Sequence, residues 1–159
     1  MGTRSVGMGE NGGERMERLE IERLDLRYDA LRLRRPGELA ALRRSIEQRG
    51  VLHPVVVNQL ADGTPVLLDG FKRVEIVRAL GVATVPVRYV RLGDVEATLA
   101  IAEYNAPQRG LSELEEGWLI ERLRRTHELK IVQIATLMGR HKSWVSRRLA
   151  LVEQLEETV

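Results

Sequence analysis

The sequence feature with the clearest chemistry is a basic, hydroxyl-rich stretch near the C-terminal end of the chain. No acidic residue occurs between Gly139 and Leu151. Phosphate groups are bound by cations and hydroxyls, and base edges in the major groove are read by side chains on one face of a helix. We therefore predict that six side chains contact DNA: Arg140, Lys142, Ser143, Trp144, Arg147 and Arg148.

The apolar residues around this stretch predict a helix-turn-helix over residues 129–151. Ala135 is small where two helices would cross, and Gly139 permits the positive φ of a tight turn between them. Helical spacing predicts that four side chains face the core: Ile134, Leu137, Val145 and Leu149. The alternative is a plain helical hairpin with a solvated basic face.

A second group, residues 69–73, combines a strand end, a glycine and two cations ahead of a helix. Gly70 would let the backbone approach a ligand, and the helix N-terminus offers unpaired N–H groups beside Lys72 and Arg73. This arrangement is typical of a phosphate cradle. It lacks the several glycines of a P-loop, so a purely structural turn is the alternative.

A third group, residues 50–54, could bring backbone to a ligand in a turn between Gly50 and Pro54. The alternative is a helix that ends at a glycine and is followed by a proline. His53 has no neighbouring histidine at metal-ligand spacing, so the sequence assigns no metal ligands.

Composition restricts the class of protein. The chain has 159 residues, 43% of them apolar, which suffices for one domain or two small ones. Its formal charge is only +2, so nucleic-acid binding must come from local clustering. The absence of cysteine excludes disulfides and thiolate chemistry. We expect a cytoplasmic protein without a membrane segment, because no long apolar run or signal peptide is present.

The elements that would position these residues form an α+β protein. Residues 1–18 are expected to be a disordered lead-in, and the pattern from Leu19 to Leu26 predicts a first strand with a bulge. The pattern then predicts a helix over 36–49, strands at 55–57 and 66–68, a helix ended by Gly81, a strand at 85–90 and a helix at 95–102. Pro86 predicts a position at a sheet edge or at the start of a strand.

From Leu111 onward only helices are predicted. Ser112 and Glu115 have capping-box spacing and would start the first of them. Because Pro107 and Gly110 interrupt helix, we expect a hinge there between two units that move relative to each other. The predicted organisation is a small α/β domain over 19–104, followed by an all-α helix-turn-helix domain over 105–159.

Taken in order, these segments resemble the ParB family of chromosome and plasmid partition proteins over residues 19–155. Ser45-Ile46 followed by Gly50 and Pro54 looks like the family segment at the nucleotide base. The stretch from Gly70 to Glu75 occupies the place of the arginine-rich box that grips the triphosphate. Two further stretches also resemble the family: Val85-Pro86-Val87, and Gln108-Arg109-x-Leu111 followed by Glu115-Glu116.

The resemblance implies a ParB/sulfiredoxin-like fold, CTP with Mg²⁺ as ligand, double-stranded DNA as partner, and a homodimer. By position, it assigns seven residues to the nucleotide site: Gly50, Pro54, Gly70, Lys72, Arg73, Gln108 and Arg109. The implied function is that of a partition protein or mobile-element regulator, in which CTP binding controls a clamp on DNA.

Departures from the family pattern predict a degenerate nucleotide pocket. Phe71 replaces an acidic residue, and Glu75 stands where the last arginine belongs, which would repel an anionic ligand. Ala106 occupies the place of a metal-holding asparagine and cannot coordinate Mg²⁺. We therefore expect weak CTP binding and at most a weak CTPase.

Two other classes of function remain open. The same N-terminal fold occurs in small-molecule kinases that use a nucleotide, although Asp69 and Glu75 are the only acids near the cradle. Sulfiredoxin-type chemistry needs a cysteine, which the chain lacks. A protein–protein adaptor that lost both ligands is the third alternative, and the clean basic helix argues against it.

Overall fold

The structure, a computed structural model, describes residues 16–106 and 110–159. Within these residues four strands form one sheet: β1 (Arg18–Glu20), β2 (Val55–Gln59), β3 (Pro65–Asp69) and β4 (Thr84–Val90), in the order β1-β4-β2-β3. β2 and β3 form an antiparallel hairpin, β2 and β4 are parallel, and β1 is antiparallel to β4. The sheet is therefore mixed.

The helices follow the order that the sequence predicts. They are α1 (Pro36–Arg49), α2 (Phe71–Ala79), α3 (Asp94–Asn105), α4 (Glu113–Thr126), α5 (Ile131–Met138) and α6 (Lys142–Glu157). α1 packs against α2, and α3 lies against β3. α4 contacts α3, α5 and α6. The predicted α+β fold class is confirmed, and no helix of the described residues is both long and apolar enough to span a bilayer.

Consecutive residues are buried along the central strands. All residues from Val55 to Asn58 are buried, as are all those from Val66 to Leu68. Strands that are covered on both faces have continuous apolar runs instead of alternation. This buried sheet positions the loops that follow its strands.

The first strand is shorter than the sequence predicts. Only Arg18–Glu20 is a strand, and Ile21–Arg23 then forms a 3-10 turn in which Leu24 N–H donates to Ile21 O at 3.0 Å. Leu19 is therefore buried from β1 and Ile21 from the turn, not both from one bulged strand. The lead-in also ends earlier than predicted, because Arg18 pairs with Pro86. Residues 1–15 lie outside the described residues.

Pro86 is not in an edge strand, since β4 lies between β1 and β2. It does lie close to the start of β4, before the pairing with β2 begins at Val87. Val87 N–H donates toward β1, to Glu17 O at 2.9 Å, so the alternation of the strand turns the nitrogen of Pro86 toward the side that is not yet paired. A missing N–H costs no ladder bond at this position.

The helical part is anchored by its own apolar face and shares a core with the sheet. Leu119, Ile120 and Leu123 of α4 are fully buried in the same cluster as the sheet residues. Of the four predicted core residues near α5 and α6, Ile134, Val145 and Leu149 are buried, whereas Leu137 is 49% exposed, so its prediction is wrong. The predicted domain boundary at residue 105 remains a prediction.

Candidate functional site

A cavity of about 890 Å³ opens between α1, the start of α2, the end of α3 and the start of α4. Five of the residues predicted from the sequence line it together: Gly50, Pro54, Gly70, Lys72 and Arg73. Two others, Gln108 and Arg109, lie outside the described residues. The fold thus brings together two groups, residues 50–54 and residues 70–73, that are separated by up to 23 positions in the sequence.

Gly70 is required at the end of β3 for two reasons. Its φ of +100° is a conformation that other residues rarely adopt, and a Cβ atom there would lie 2.4 Å from Cγ1 of Val55. Gly70 is also the N-cap residue of α2 and provides no side-chain cap. The first turn of α2 therefore presents its N–H groups at the cavity wall without a capping side chain.

Arg73 holds the loop beside the cavity. Its Nη1 donates to His53 O at 2.7 Å and to Pro54 O at 3.1 Å, while Nη2 donates to Asp69 Oδ2 at 3.0 Å. These bonds join the loop after α1 to the end of β3. The guanidinium predicted to bind phosphate is thus already engaged by the protein itself.

Lys72 is engaged in a similar way. Its Nζ donates to Glu38 Oε2, and both side chains are largely buried. Arg35 lies 3.8 Å from the other oxygen of Glu38. One carboxylate at the start of α1 therefore lies between two cations of the cavity rim.

The structure corrects the expected effect of Glu75. Its carboxylate accepts a hydrogen bond from Arg34 Nε at 2.6 Å, and Arg34 also pairs with Asp29. Glu75 does not line the cavity. Because Arg34 neutralises it and it points elsewhere, the repulsion of an anionic ligand predicted from the sequence does not follow from this geometry.

Arg32 and Glu115 form a buried contact that the sequence analysis missed. Glu115 Oε1 accepts from Leu33 N–H at 2.9 Å and lies 3.3 Å from Arg32 Nη1, and Oε2 accepts from Ser112 N–H at 2.8 Å. Burial lowers the pKa of the Arg32 guanidinium, against the opposing effect of Glu115. The Ser112–Glu115 capping box is confirmed, but its carboxylate also joins α4 to the segment before α1.

Two further cavity residues carried no local sequence signal. The guanidinium of Arg88 lies 5.7 Å from the ring centroid of Tyr104, and both residues line the cavity. Arg88 lies in β4 and Tyr104 in the last turn of α3, so only the packing of α3 on the sheet brings them together. An aromatic ring and a planar cation both offer stacking surfaces.

The cavity has the size of an ordinary ligand pocket and several charged side chains in its wall. Its volume lies in the range of ordinary ligand pockets. Arg32 Nη1 is buried without a hydrogen-bond partner in the described residues and belongs to a side chain of the cavity wall. Arg32 also pairs with Glu115, so the uncapped N–H groups at the start of α2 are the clearer feature suited to an anion.

The described residues contain no group of three or more acidic, histidine or cysteine side chains that could hold a metal ion. Asn105 lines the cavity, but its Oδ1 accepts from Arg32 Nη2 at 2.9 Å. The residues that would hold Mg²⁺ therefore stay unassigned.

The second candidate site is the start of α6. Gly139 ends α5 with a φ of +62°, as predicted, and His141 caps α6 by accepting from Ser143 N–H at 3.2 Å. Arg140, Lys142 and Arg147 are exposed, and no acidic side chain of the described residues lies within ion-pair distance of them. They form a positive surface beside the turn.

Trp144 and Arg148 differ from the other predicted contact residues of α6. Arg148 Nε donates to Glu116 Oε2 at 2.6 Å, and its side chain is only 17% exposed. Trp144 is half-buried, with the guanidinium groups of Arg140 and Arg148 at 4.9 Å and 5.0 Å from its ring centroid. Their predicted contacts with DNA remain predictions.

Comparison with known proteins gives consistent relatives for this fold. A probable chromosome-partitioning protein ParB of Pseudomonas putida is 28% identical over 155 residues, covering 93% of this chain and 53% of the relative. A nucleoid occlusion protein of Geobacillus thermodenitrificans is 26% identical over 155 residues, covering 93% and 55%. The chain thus spans about half the length of the curated relatives it matches.

Solved structures agree with the sequence relatives. A C-terminally truncated ParB from Caulobacter crescentus in complex with CTP-γ-S superposes with a TM-score of 0.52 at 27% identity, over 86% of this chain and 78% of the other. The same protein bound to the centromeric parS site gives a TM-score of 0.51 at 25% identity, over 86% and 71%. The profile of the ParB N-terminal domain matches residues 8–105. This chain therefore belongs to the ParB N-terminal domain family.

Proposed function

We propose that this protein binds double-stranded DNA, with α5 and α6 acting as a helix-turn-helix. One observation carries the proposal: Arg140, Lys142 and Arg147 are exposed at the start of a helix without acidic partners in the described residues. Val145 and Leu149 fix the opposite face of that helix in the core. A rigid helix with free cations is what groove binding requires.

The relatives support this proposal. The Caulobacter crescentus neighbour is bound to the parS site, and curated relatives are named as chromosome-partitioning proteins. We place this chain in the same class, as a partition protein or a regulator of a mobile element that works on nucleoid or plasmid DNA. Homodimerisation remains a prediction from the family resemblance.

Selection from a random double-stranded library, followed by fluorescence anisotropy on the enriched site, tests DNA binding. We expect specific binding, and the logarithm of the association constant should fall linearly with the logarithm of salt concentration. Arg147→Ala should reduce that slope by about one. Arg44→Ala, an exposed arginine of α1, is the matched control and should bind like the wild type. Equal losses in both variants, or no enrichment at all, would contradict the proposal.

We further propose that the cavity binds CTP. The uncapped start of α2 and the cations of the cavity wall favour an anionic ligand, and the Caulobacter crescentus neighbour is in complex with CTP-γ-S. Gly70, Lys72 and Arg73 would flank the phosphates, and Gly50 and Pro54 the base. Gln108 and Arg109 are proposed for the same site from the family resemblance.

In this proposal the ligand supplies a compact negative charge, and the protein supplies an already ordered pocket. Arg73 keeps the 53–54 loop in position through its bonds to the backbone. Lys72 has to exchange Glu38 for phosphate oxygens, which lowers its net contribution to affinity. These costs are the physical basis for expecting weak binding.

Calorimetry with CTP and with ATP, in the presence of Mg²⁺, tests this second proposal. We expect CTP binding that Lys72→Ala weakens, because the variant removes a cation of the cavity wall. Lys142→Ala is the matched control, since Lys142 lies on α6 and does not line the cavity. Stronger binding and turnover of ATP would favour the kinase-like enzyme instead, and no binding of either nucleotide would contradict a nucleotide site.

A further inference from the structure

Arg148 sits in a different electrostatic environment from the other cations of α6. Besides the bond to Glu116, its Nη2 lies 3.4 Å from Glu113 Oε1, so two carboxylates of α4 face one guanidinium. By contrast, Arg147 is exposed and has no acidic neighbour within ion-pair distance in the described residues. Charge that is already neutralised adds little to a phosphate contact.

The helices cross closely at this point because of Gly117. A Cβ atom on Gly117 would lie 2.7 Å from the backbone oxygen of Arg148 and 2.8 Å from Cγ2 of Val152. Only glycine permits α4 and α6 to approach so closely. The short approach lets the acidic first turn of α4 reach the arginine of α6.

Trp144 lies one helical turn before Arg148 and four residues after Arg140, which precedes α6. Both guanidinium groups lie within cation–π distance of its ring, at 5.0 Å and 4.9 Å from the centroid. The contacts form a continuous series: carboxylates of α4, Arg148, Trp144 and Arg140. The series runs from the buried side of α6 to its exposed start.

We infer that Arg148 is a positioning residue, not a phosphate ligand. Glu116 and Glu113 fix its guanidinium, which holds the Trp144 ring, and the ring in turn orients Arg140 toward DNA. The inference rests on the proposed DNA-binding function and deepens it. In this inference, recognition of the DNA sequence depends on a series of contacts that begins on α4, outside the helix that enters the groove.

The salt dependence of DNA binding separates the two roles. If Arg148 is a positioning residue, Arg148→Ala should leave the slope of log K against log salt concentration unchanged. It should also lower the affinity for the enriched site roughly 3- to 10-fold. Arg148→Lys should show the same loss, because lysine lacks the planar group that stacks on the ring. Glu116→Gln should also weaken specific binding, because it loosens Arg148. Arg44→Ala remains the control.

A phosphate ligand would behave in the opposite way. Arg148→Ala would then lower the slope by about one, Arg148→Lys would bind like the wild type, and Glu116→Gln would strengthen binding by freeing the cation. Any of these three results overturns the inference. Comparing three variants also guards against a folding defect in one of them, which circular dichroism would detect.

A second measurement needs no DNA. In a Trp118→Phe background, Trp144 is the only fluorescent indole. Arg148→Ala should shift its emission and increase its quenching by acrylamide, while Arg147→Ala should leave both unchanged. Unchanged emission in Arg148→Ala overturns the positioning role. If the wild type binds no DNA, the proposed function fails, and this measurement still decides whether Arg148 positions Trp144.

Discussion

The cavity and the start of α6 are both rich in cations, but they use them differently. In the cavity, Lys72 pairs with Glu38, and Arg73 with Asp69 and two carbonyl oxygens. At the start of α6 and in the turn before it, Arg140, Lys142 and Arg147 have no acidic partner among the described residues. A basic residue near a proposed ligand site can therefore hold the site together or bind the ligand.

This difference indicates that burial decides whether a cation holds the site together or binds the ligand. A partly buried guanidinium must be paired, because desolvation would otherwise cost several kcal/mol. An exposed one keeps its hydration and can exchange it for a phosphate when DNA arrives. Changes in the cavity should therefore alter stability first, whereas changes of the exposed cations Arg140, Lys142 and Arg147 should alter binding with little effect on stability.

The largest expected effect comes from Glu115→Ala. The change leaves Arg32 without its ion-pair partner and the N–H groups of Leu33 and Ser112 without their acceptor, which should lower the free energy of unfolding by about 3–5 kcal/mol. Glu113→Ala, an exposed residue of the same helical turn, should cost less than about 1 kcal/mol. Urea denaturation measures both, and similar losses in the two variants would show that burial does not distinguish them.

Gly70→Ala should cause the second-largest loss in the free energy of unfolding. The positive φ and the contact with Val55 together should cost about 2–4 kcal/mol. Gly63→Ala is the control, because its φ is +86° but nothing lies within 4 Å of an added Cβ. The control should cost about 1–2 kcal/mol from backbone strain alone. A control as damaging as Gly70→Ala would remove the argument for close packing at the cavity.

Arg73→Ala and Arg147→Ala compare the two regions directly. Arg73→Ala removes three hydrogen bonds and should cost about 1.5–3 kcal/mol of stability. Arg147→Ala should change stability by less than about 0.5 kcal/mol. Thermal and urea unfolding measure both variants. If Arg147→Ala proves as destabilising as Arg73→Ala, the distinction between structural and ligand-binding cations is wrong.

Glu75→Arg should have only a small effect on stability. It breaks the partly exposed pair with Arg34 and places two cations side by side, for a loss of less than about 1 kcal/mol. Because Glu75 does not line the cavity, CTP affinity measured by calorimetry should not rise. A clear gain in affinity would restore the interpretation from sequence alone, in which Glu75 repels the ligand.

The sequence predicted the local elements well, since helix caps and apolar periodicity act over a few residues. The α1 start at Pro36, the β2–β3 hairpin and the Ser112 cap were all recognisable. It failed where the outcome depends on distant partners. Arg34 cancels the charge of Glu75 from 41 positions away, and Glu116 engages Arg148 from 32 positions away.

Arg32 illustrates why such partners escape sequence analysis. It lies in a stretch with four arginines in nine residues, any of which looks like an ordinary surface cation. Only the fold decides that Arg32 is buried against Glu115 while Arg35 stays exposed. Spacing along one element carries no information about a contact between two elements.

The shared carboxylate of Glu115 has a consequence for how the protein unfolds. The cap of α4 and the backbone of Leu33 use the two oxygens of one carboxylate, so a movement of Glu115 disturbs both contacts together. The start of the helical part and the segment that leads into α1 should therefore melt in one cooperative transition. Hydrogen exchange should report similar opening energies for Leu33 and Ser112, although 79 positions separate them in the chain.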